Sequence, residues 1–245
     1  MNESTILCIG TTHPWNVAGT GRDAQVAADH HVRALTVITG ITAQDAGGIR
    51  EKFAIPAPLV RAQLQSVSAA RYGVMRIGAV FAEENVREIA RFLGTRLSVP
   101  AVVDPVFGAT LGGAFASDAT YETFVREILP QRVILTPNIP EAERFLARSI
   151  ATVDDMRDAA HALLQLGPQA VLLKGGHLPG APVDILLTRE REERFTDARL
   201  PGTMRGTGCT LAAALACELA NGKELFAAVE SARKYVRNEI TNMSS

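Results

Sequence analysis

The chain of 245 residues is poor in cysteine and aromatics, and its charge is almost balanced. Its three cysteines, Cys8, Cys209 and Cys217, are scattered, lack metal-ligand spacing and leave one over if two pair. That excludes a disulfide framework or a zinc site and points to a reducing, cytoplasmic setting. With 25 basic and 26 acidic residues interspersed, the net charge is −1, which argues against nucleic acid or a membrane surface held by charge alone. No window approaches the roughly 20 apolar residues of a membrane span, and the opening MNESTILCIG lacks the pattern of a targeting segment. There is no repeat, low-complexity tract or visible linker, so residues 1–245 read as one domain able to bury a large core.

What the chain does have is an alternation of short apolar runs with longer segments of helical spacing. Strands are expected at 5–9, 34–38, 74–77, 101–103, 132–135 and 170–173, with a hairpin at 185–188 and 193–196. Helices are expected at 60–71, 83–97, 121–128, 153–166, 208–219 and 223–238. Continuous apolar strands are buried on both faces, so the fold class is α/β: a mostly parallel sheet with helices on both sides. The last residues, 243–245, read as frayed.

The segment Arg205-Gly206-Thr207-Gly208-Cys209-Thr210, followed by a small-residue run, reads as a glycine-rich turn opening a buried helix. Gly206 and Gly208 let backbone N–H groups turn inward, and the helix start adds unpaired N–H groups and a positive dipole end. A cysteine at such a position has its thiolate favoured, so Cys209 could accept a proton from a hydroxyl. Other polar residues follow strand ends, where α/β sheets gather their chemistry. Asp104 follows 101–103, Glu141 follows 132–135, and Lys174-Gly175-Gly176-His177 follows 170–173. Two carboxylates could hold Mg²⁺ directly or through water, and Lys174 could meet a nucleotide phosphate as a point charge. Taken singly, Asp104 reads as a turn residue before Pro105, Glu141 as a favourable first-turn charge, and the glycine pair as a turn. Together they form a coherent set for ATP-dependent phosphoryl transfer.

Six motifs in order carry a resemblance over nearly the whole chain. They are Ile38-Thr39-Gly40-Ile41-Thr42-Ala43-Gln44, Arg76-Ile77-Gly78, Val103-Asp104-Pro105-Val106, the run from Leu135 to Glu143, Leu173-Lys174-Gly175-Gly176-His177 and Gly206-Thr207-Gly208-Cys209-Thr210. The chain resembles the hydroxymethylpyrimidine/phosphomethylpyrimidine kinases of thiamine biosynthesis, within the ribokinase-like superfamily that also holds pyridoxal kinases. The resemblance implies a Rossmann-like, three-layer sandwich of about eight strands with MgATP across their carboxyl ends. It implies Cys209 as the base and Gly206 and Gly208 as the anion hole. Lys174, Asn138, Thr207 and Arg205 then lie at the nucleotide, and Asp104 and Glu141 at the metal. Gln44 falls where the family hydrogen-bonds the pyrimidine, and Asp23 where it holds the hydroxymethyl group. Gly19 and His13 belong to the same acceptor side. Relatives of this kind are often homodimers, which is the basis for expecting one here.

Two stretches depart from the family. Where it reads Gly-(Ser/Thr)-Asp-Pro-Ser-Gly-Gly-Ala-Gly-Ile-Gln-Ala-Asp, this chain runs from Gly10 to Asp23 with His13 at an aspartate and Trp15 and Asn16 at small residues. Trp15 either closes the pocket by stacking on a planar ring or is a half-buried packing residue. His13 either reads a different polar group or is simply solvated, and His30 and His31 read as a solvated helix end. In the lid the family's Val-Ala-Lys-Ser-Gly is Gly108-Ala109-Thr110-Leu111-Gly112. A lysine is replaced by Thr110, a loss of order 10²- to 10³-fold in rate unless Arg205 substitutes as the cation. Three readings of function remain: a kinase for the pyrimidine alcohol or its monophosphate, a kinase for pyridoxal or a related heterocycle, and a non-catalytic pyrimidine-binding sensor.

Overall fold

A computed structural model describes residues 4–45, 48–108, 116–202 and 204–243. Among these residues nine strands form one sheet in the order β3-β2-β1-β4-β5-β6-β7-β8-β9. These are β1 (Thr5–Thr12), β2 (Arg33–Asp45), β3 (Gly48–Ala54), β4 (Val74–Ile77), β5 (Ala101–Val103), β6 (Val133–Leu135), β7 (Ala170–Lys174), β8 (Val183–Thr188) and β9 (Glu192–Thr196). β2, β1, β4, β5, β6 and β7 pair in parallel, whereas β3, β8 and β9 join antiparallel at the two edges. The chain leaves β1 for β2 on one side and returns to β4 on the other. A crevice is therefore expected at the carboxyl ends beside β1.

The pleat sorts the core into two layers. Leu7, Ile9, Met75, Ile77, Val103 and Leu173 pack with apolar residues of α2 (Ala57–Ser66), α3 (Glu83–Gly94), α4 (Asp118–Glu127), α5 (Ile139–Leu146) and α6 (Val153–Leu164). Ile6, Cys8, Val74, Val102, Ile134 and Leu172 face the other way. They meet α1 (Gly19–Asp29), α7 (Thr207–Ala220) and α8 (Leu225–Met243). Helix α7 is buried continuously from Thr210 to Cys217. Its Leu-Ala-Ala-Ala-Leu-Ala run is apolar all round because sheet, α1 and α8 surround it.

One strand was not anticipated, and two helices were read only at one end, α1 from His30 and His31 and α5 from Glu141. Strand β3 carries Arg50, Glu51 and Lys52 on an edge and has no apolar run to mark it. Helix α1 opens on glycines and shows only Val26 and Ala27 as buried apolar residues. Helix α5 is a short segment with proline in its first turn. The histidine pair also differs from a solvated end. His30 packs edge-on against Tyr235 and its Nδ1 lies 2.8 Å from the Val26 carbonyl, while His31 is exposed.

Candidate active site

Each strand-end residue reaches the crevice by the same rule: the strand stops and the next side chain projects from its carboxyl end. Asp104 follows β5, Asn138 follows β6 through Thr136 and Pro137, and Lys174 is the last residue of β7. Lys174 Nζ donates to Asp104 Oδ1 at 2.9 Å. Opposite them, α7 begins at Gly206, whose φ of 75° is left-handed. The first backbone bond of the helix runs from Thr210 N–H to the Gly206 carbonyl. This leaves the N–H groups of Thr207, Gly208 and Cys209 without a helical acceptor. A Cβ on Gly208 would sit 3.1 Å from Lys174 Nζ and 3.9 Å from both Asp104 oxygens, and one on Gly206 would meet the Val17 carbonyl at 1.9 Å. Glycine is required at 206 for the helix start to meet the loop after β1, and at 208 it lets the helix approach Lys174 without displacing the ammonium.

The buried charges set one another. Burial pushes the Asp104 carboxyl up, but Lys174 and then Arg76 outweigh it and hold it below its ordinary range. Burial disfavours the Lys174 charge, yet Asp104 and Glu141 keep it protonated. Glu141 is pushed up to about 7 by burial, with Lys174 opposing and Asp104 adding to the rise. Asp23 is driven to about 6 by burial despite Arg76. The Cys209 thiol lies near Asp104, Arg76, Asp23 and the Gly19 backbone. Burial, then the Asp104 charge, raises it to about 11. That corrects the expectation of a favoured thiolate: desolvation beside a carboxylate outweighs the helix terminus in the free protein.

Asn138 and Glu141 form a reciprocal capping box on α5. Asn138 Oδ1 accepts from the Glu141 N–H at 2.9 Å, and Glu141 Oε2 accepts from the Asn138 N–H at 2.8 Å. The first-turn reading of Glu141 is thus fulfilled, while its charge also acts on Lys174. Among the described residues no three His, Cys, Asp or Glu side chains are grouped to hold a metal by themselves. The donor set fits an ion that keeps its waters and shares phosphate oxygens, as Mg²⁺ does.

On the acceptor side the placements differ more from expectation. Asp23 is 1% exposed and lies 3.2 Å from Arg76 Nε, so it sits beneath the crevice in an ion pair. Gly19 opens α1 with φ 65°. Gln44 lies near the end of β2, opposite Ile49. His13 is not solvated: it is 5% exposed, its Nε2 accepts from the Ala18 N–H at 3.2 Å, and its Nδ1 is buried without a hydrogen-bond partner among the described residues. Burial, reinforced by Arg205, keeps the ring neutral. Trp15 is 68% exposed, which removes the packing alternative and leaves its face free. Arg205 donates to the Asp45 carbonyl at 2.9 Å. It is therefore turned to the β2 end and His13, away from the Lys174 side where a lid cation was expected. Of that lid, residues 109–112, Thr110 among them, lie outside the described residues.

Sequence reasoning quoted Arg76 within a motif and gave it no role. The signal was present: a charged residue inside the short strand Val-Met-Arg-Ile. It also passed over the scaffold of the Lys174 loop. Asp184 accepts from the Gly175 N–H, and Arg199 donates to the carbonyls of Gly176, Leu178 and Gly180.

A helix N-terminus facing a lysine and carboxylates at the switch point of a doubly wound sheet is suited to stabilising a phosphoryl group in transit. The chain is a kinase, a phosphotransferase of the ribokinase-like class. Residues 14–245 match the family described as phosphomethylpyrimidine kinase, and the chain belongs to that family. It is 35% identical over 240 residues to a hydroxymethylpyrimidine/phosphomethylpyrimidine kinase of Streptomyces coelicolor, covering 96% of this chain and 88% of that one. A phosphomethylpyrimidine kinase from Clostridium difficile superposes with a TM-score of 0.87 at 31% identity, over 97% of this chain and 100% of that one. A Bacillus subtilis pyridoxal kinase, solved as an ADP complex, gives 0.86 at 26% identity over 95% of this chain and 90% of that one.

Proposed function

We propose that this chain transfers the γ-phosphoryl group of ATP to the hydroxymethyl oxygen of 4-amino-5-hydroxymethyl-2-methylpyrimidine, to its monophosphate, or to both, in thiamine biosynthesis. The observation that carries the reading is the placement of Cys209. It lies in the first turn of α7, between the Gly206–Gly208 turn and the Asp104–Lys174 pair. Bound Mg²⁺ would supply charge neutralisation on the phosphates, with Asp104 and Glu141 as the residues that hold it through water. Lys174 and the N–H groups of Thr207, Gly208 and Cys209 bind and orient phosphate oxygens, and Asn138 fixes the start of α5. Asp23, Gly19, Gln44 and His13 form the acceptor side. As a base, Cys209 must first pass its own proton to water; Arg76, Lys174 and the α7 terminus are the fixed positive charges that lower the cost of that loss. It then takes the proton of the acceptor hydroxyl as the new P–O bond forms.

The 245 residues act as one kinase domain, since a single sheet runs from Thr5 to Thr196 and is closed by α7 and α8. Three free thiols accord with a cytoplasmic location. No helix of the described residues is long and apolar enough to cross a membrane. A homodimer is proposed on the cross-strand pair Ile41 and Phe53, which are 46% and 62% exposed on the β2–β3 ribbon. Pyridoxal is the second acceptor to try.

The test is ADP release from MgATP with the pyrimidine alcohol, its monophosphate and pyridoxal. Cys209→Ala should lower kcat by about 10²- to 10⁴-fold while leaving ligand binding largely intact. No turnover on any of the three by a protein that binds ATP would sink these acceptors and point to a different heterocycle or to a chain of this family that binds without turnover.

A further inference from the structure

Arg76 is the largest fully buried side chain among the described residues. Its direction follows from the pleat of β4. Met75 and Ile77 face the α2–α6 layer, so Val74 and Arg76 face α1 and α7. There the guanidinium lies between two carboxylates from different elements. Nε is 3.2 Å from Asp23 Oδ1 on α1, and Nη2 donates to Asp104 Oδ2 at 3.4 Å after β5. The Asp23 contact is close but not aligned as a hydrogen bond, and Nη1 has no hydrogen-bond partner among the described residues. Nη1 occupies space left by Gly78, whose Cβ would come within 2.4 Å of it. A buried guanidinium with unmet donors is costly, and an apolar side chain of similar volume would fill the site without that cost. Stability alone therefore does not account for it.

We propose that Arg76 is a positioning residue that couples the acceptor side of the crevice to the nucleotide side. The inference rests on the kinase reading. One planar, permanently charged group spaces Asp23 from Asp104. Asp104 in turn shares its other oxygen with Lys174 at 2.9 Å. The chain Asp23–Arg76–Asp104–Lys174 thus runs unbroken from α1 to the end of β7. A displacement of Asp23 when an acceptor engages is passed to the phosphate-binding lysine, and by thermodynamic reciprocity the effect also runs backwards.

The experiment is calorimetry of 4-amino-5-hydroxymethyl-2-methylpyrimidine, alone and with saturating Mg²⁺ and a non-hydrolysable ATP analogue. Wild-type protein, Arg76→Met and Arg76→Lys are compared, with kcat and KM measured on each. In the wild type the analogue should change the pyrimidine Kd by about 5-fold or more, a factor typical of coupled sites. Arg76→Met should bring that ratio to within about 2-fold of unity and lower kcat out of proportion to KM. Arg76→Lys, which keeps the charge, should restore part of both. A purely structural role would lower the melting temperature and leave the ratio where it was. Should Arg76→Met fail to fold, Asp23→Asn breaks the bridge from its other end, leaves Arg76 paired with Asp104, and should lose the coupling likewise. Coupling that survives in the folded variants, or a wild type that phosphorylates the pyrimidine without coupling, overturns the inference and leaves the kinase reading intact. A wild type that neither binds nor phosphorylates the pyrimidine overturns the functional reading instead.

Discussion

At Cys209 two effects of opposite sign meet. A helix N-terminus favours the thiolate, whereas burial beside Asp104 raises the thiol to about 11. The second wins because desolvation acts on the whole charge and the carboxylate is a full charge nearby. Glu141 gives a sharper pH test. Its folded value of about 7 lies above the ordinary 4.5, so the free protein holds a proton there that Mg²⁺ must displace below pH 7. At limiting Mg²⁺ the rate should rise with pH through about 7. At saturating Mg²⁺ the midpoint should move lower, because ion and proton compete. Glu141→Gln should abolish that difference between the two profiles. Profiles that coincide in the wild type would show that Glu141 does not serve the metal.

Left-handed backbone occurs both at the site and away from it. Gly206 begins α7 in a left-handed conformation with its Cβ position against the Val17 carbonyl. Gly222, at φ 85°, ends the same helix region with nothing within 4 Å. Alanine at either position costs about 1–2 kcal/mol for the conformation alone. Gly206→Ala adds a clash and displaces the first-turn N–H groups, so kcat/KM should fall by about 10²-fold or more. Gly222→Ala should lower the melting temperature and leave kcat/KM unchanged. Equal activity losses in the two would mean that general stability, not the helix start, limits the enzyme. At this scale β4 and β5 were legible to the residue, since Ala101–Val103 is a short apolar run and Val74–Ile77 departs from one only at Arg76, both strands being buried on both faces. Strand β3 was not. Among the described residues it pairs with β2 alone, and Arg50, Glu51, Lys52 and Phe53 are all exposed, so no apolar period exists to be read.

For the whole molecule, the β2–β3 ribbon extends the sheet beyond the core and presents Ile41 opposite Phe53. If a second copy covers this pair, Phe53→Asp should convert a dimer to a monomer in sedimentation velocity, with the melting temperature falling at low protein concentration. A protein that sediments as a monomer before substitution would refute the homodimer. The sheet also explains why the proposed site residues, scattered over some two hundred positions from His13 to Cys209, converge. Parallel strands deliver every carboxyl end to one edge, and the switch between β1 and β4 opens it.

The sequence by itself determined the α/β class, the strands that form the centre of the sheet, and which polar residues stand at their ends. Those are local properties: apolar runs, helical spacing, and glycines or acids that follow a run. Only the tertiary structure decided the state of each group. It took His13 out of solvent, turned Arg205 to the Asp45 carbonyl, seated Asp23 beneath the crevice on Arg76, and left Cys209 protonated. Burial and charge at a few ångströms set these outcomes, and both depend on residues far away in the chain. Asp104 and Arg76 are 28 positions apart and Asp104 and Lys174 are 70, yet each pair shares one buried carboxylate.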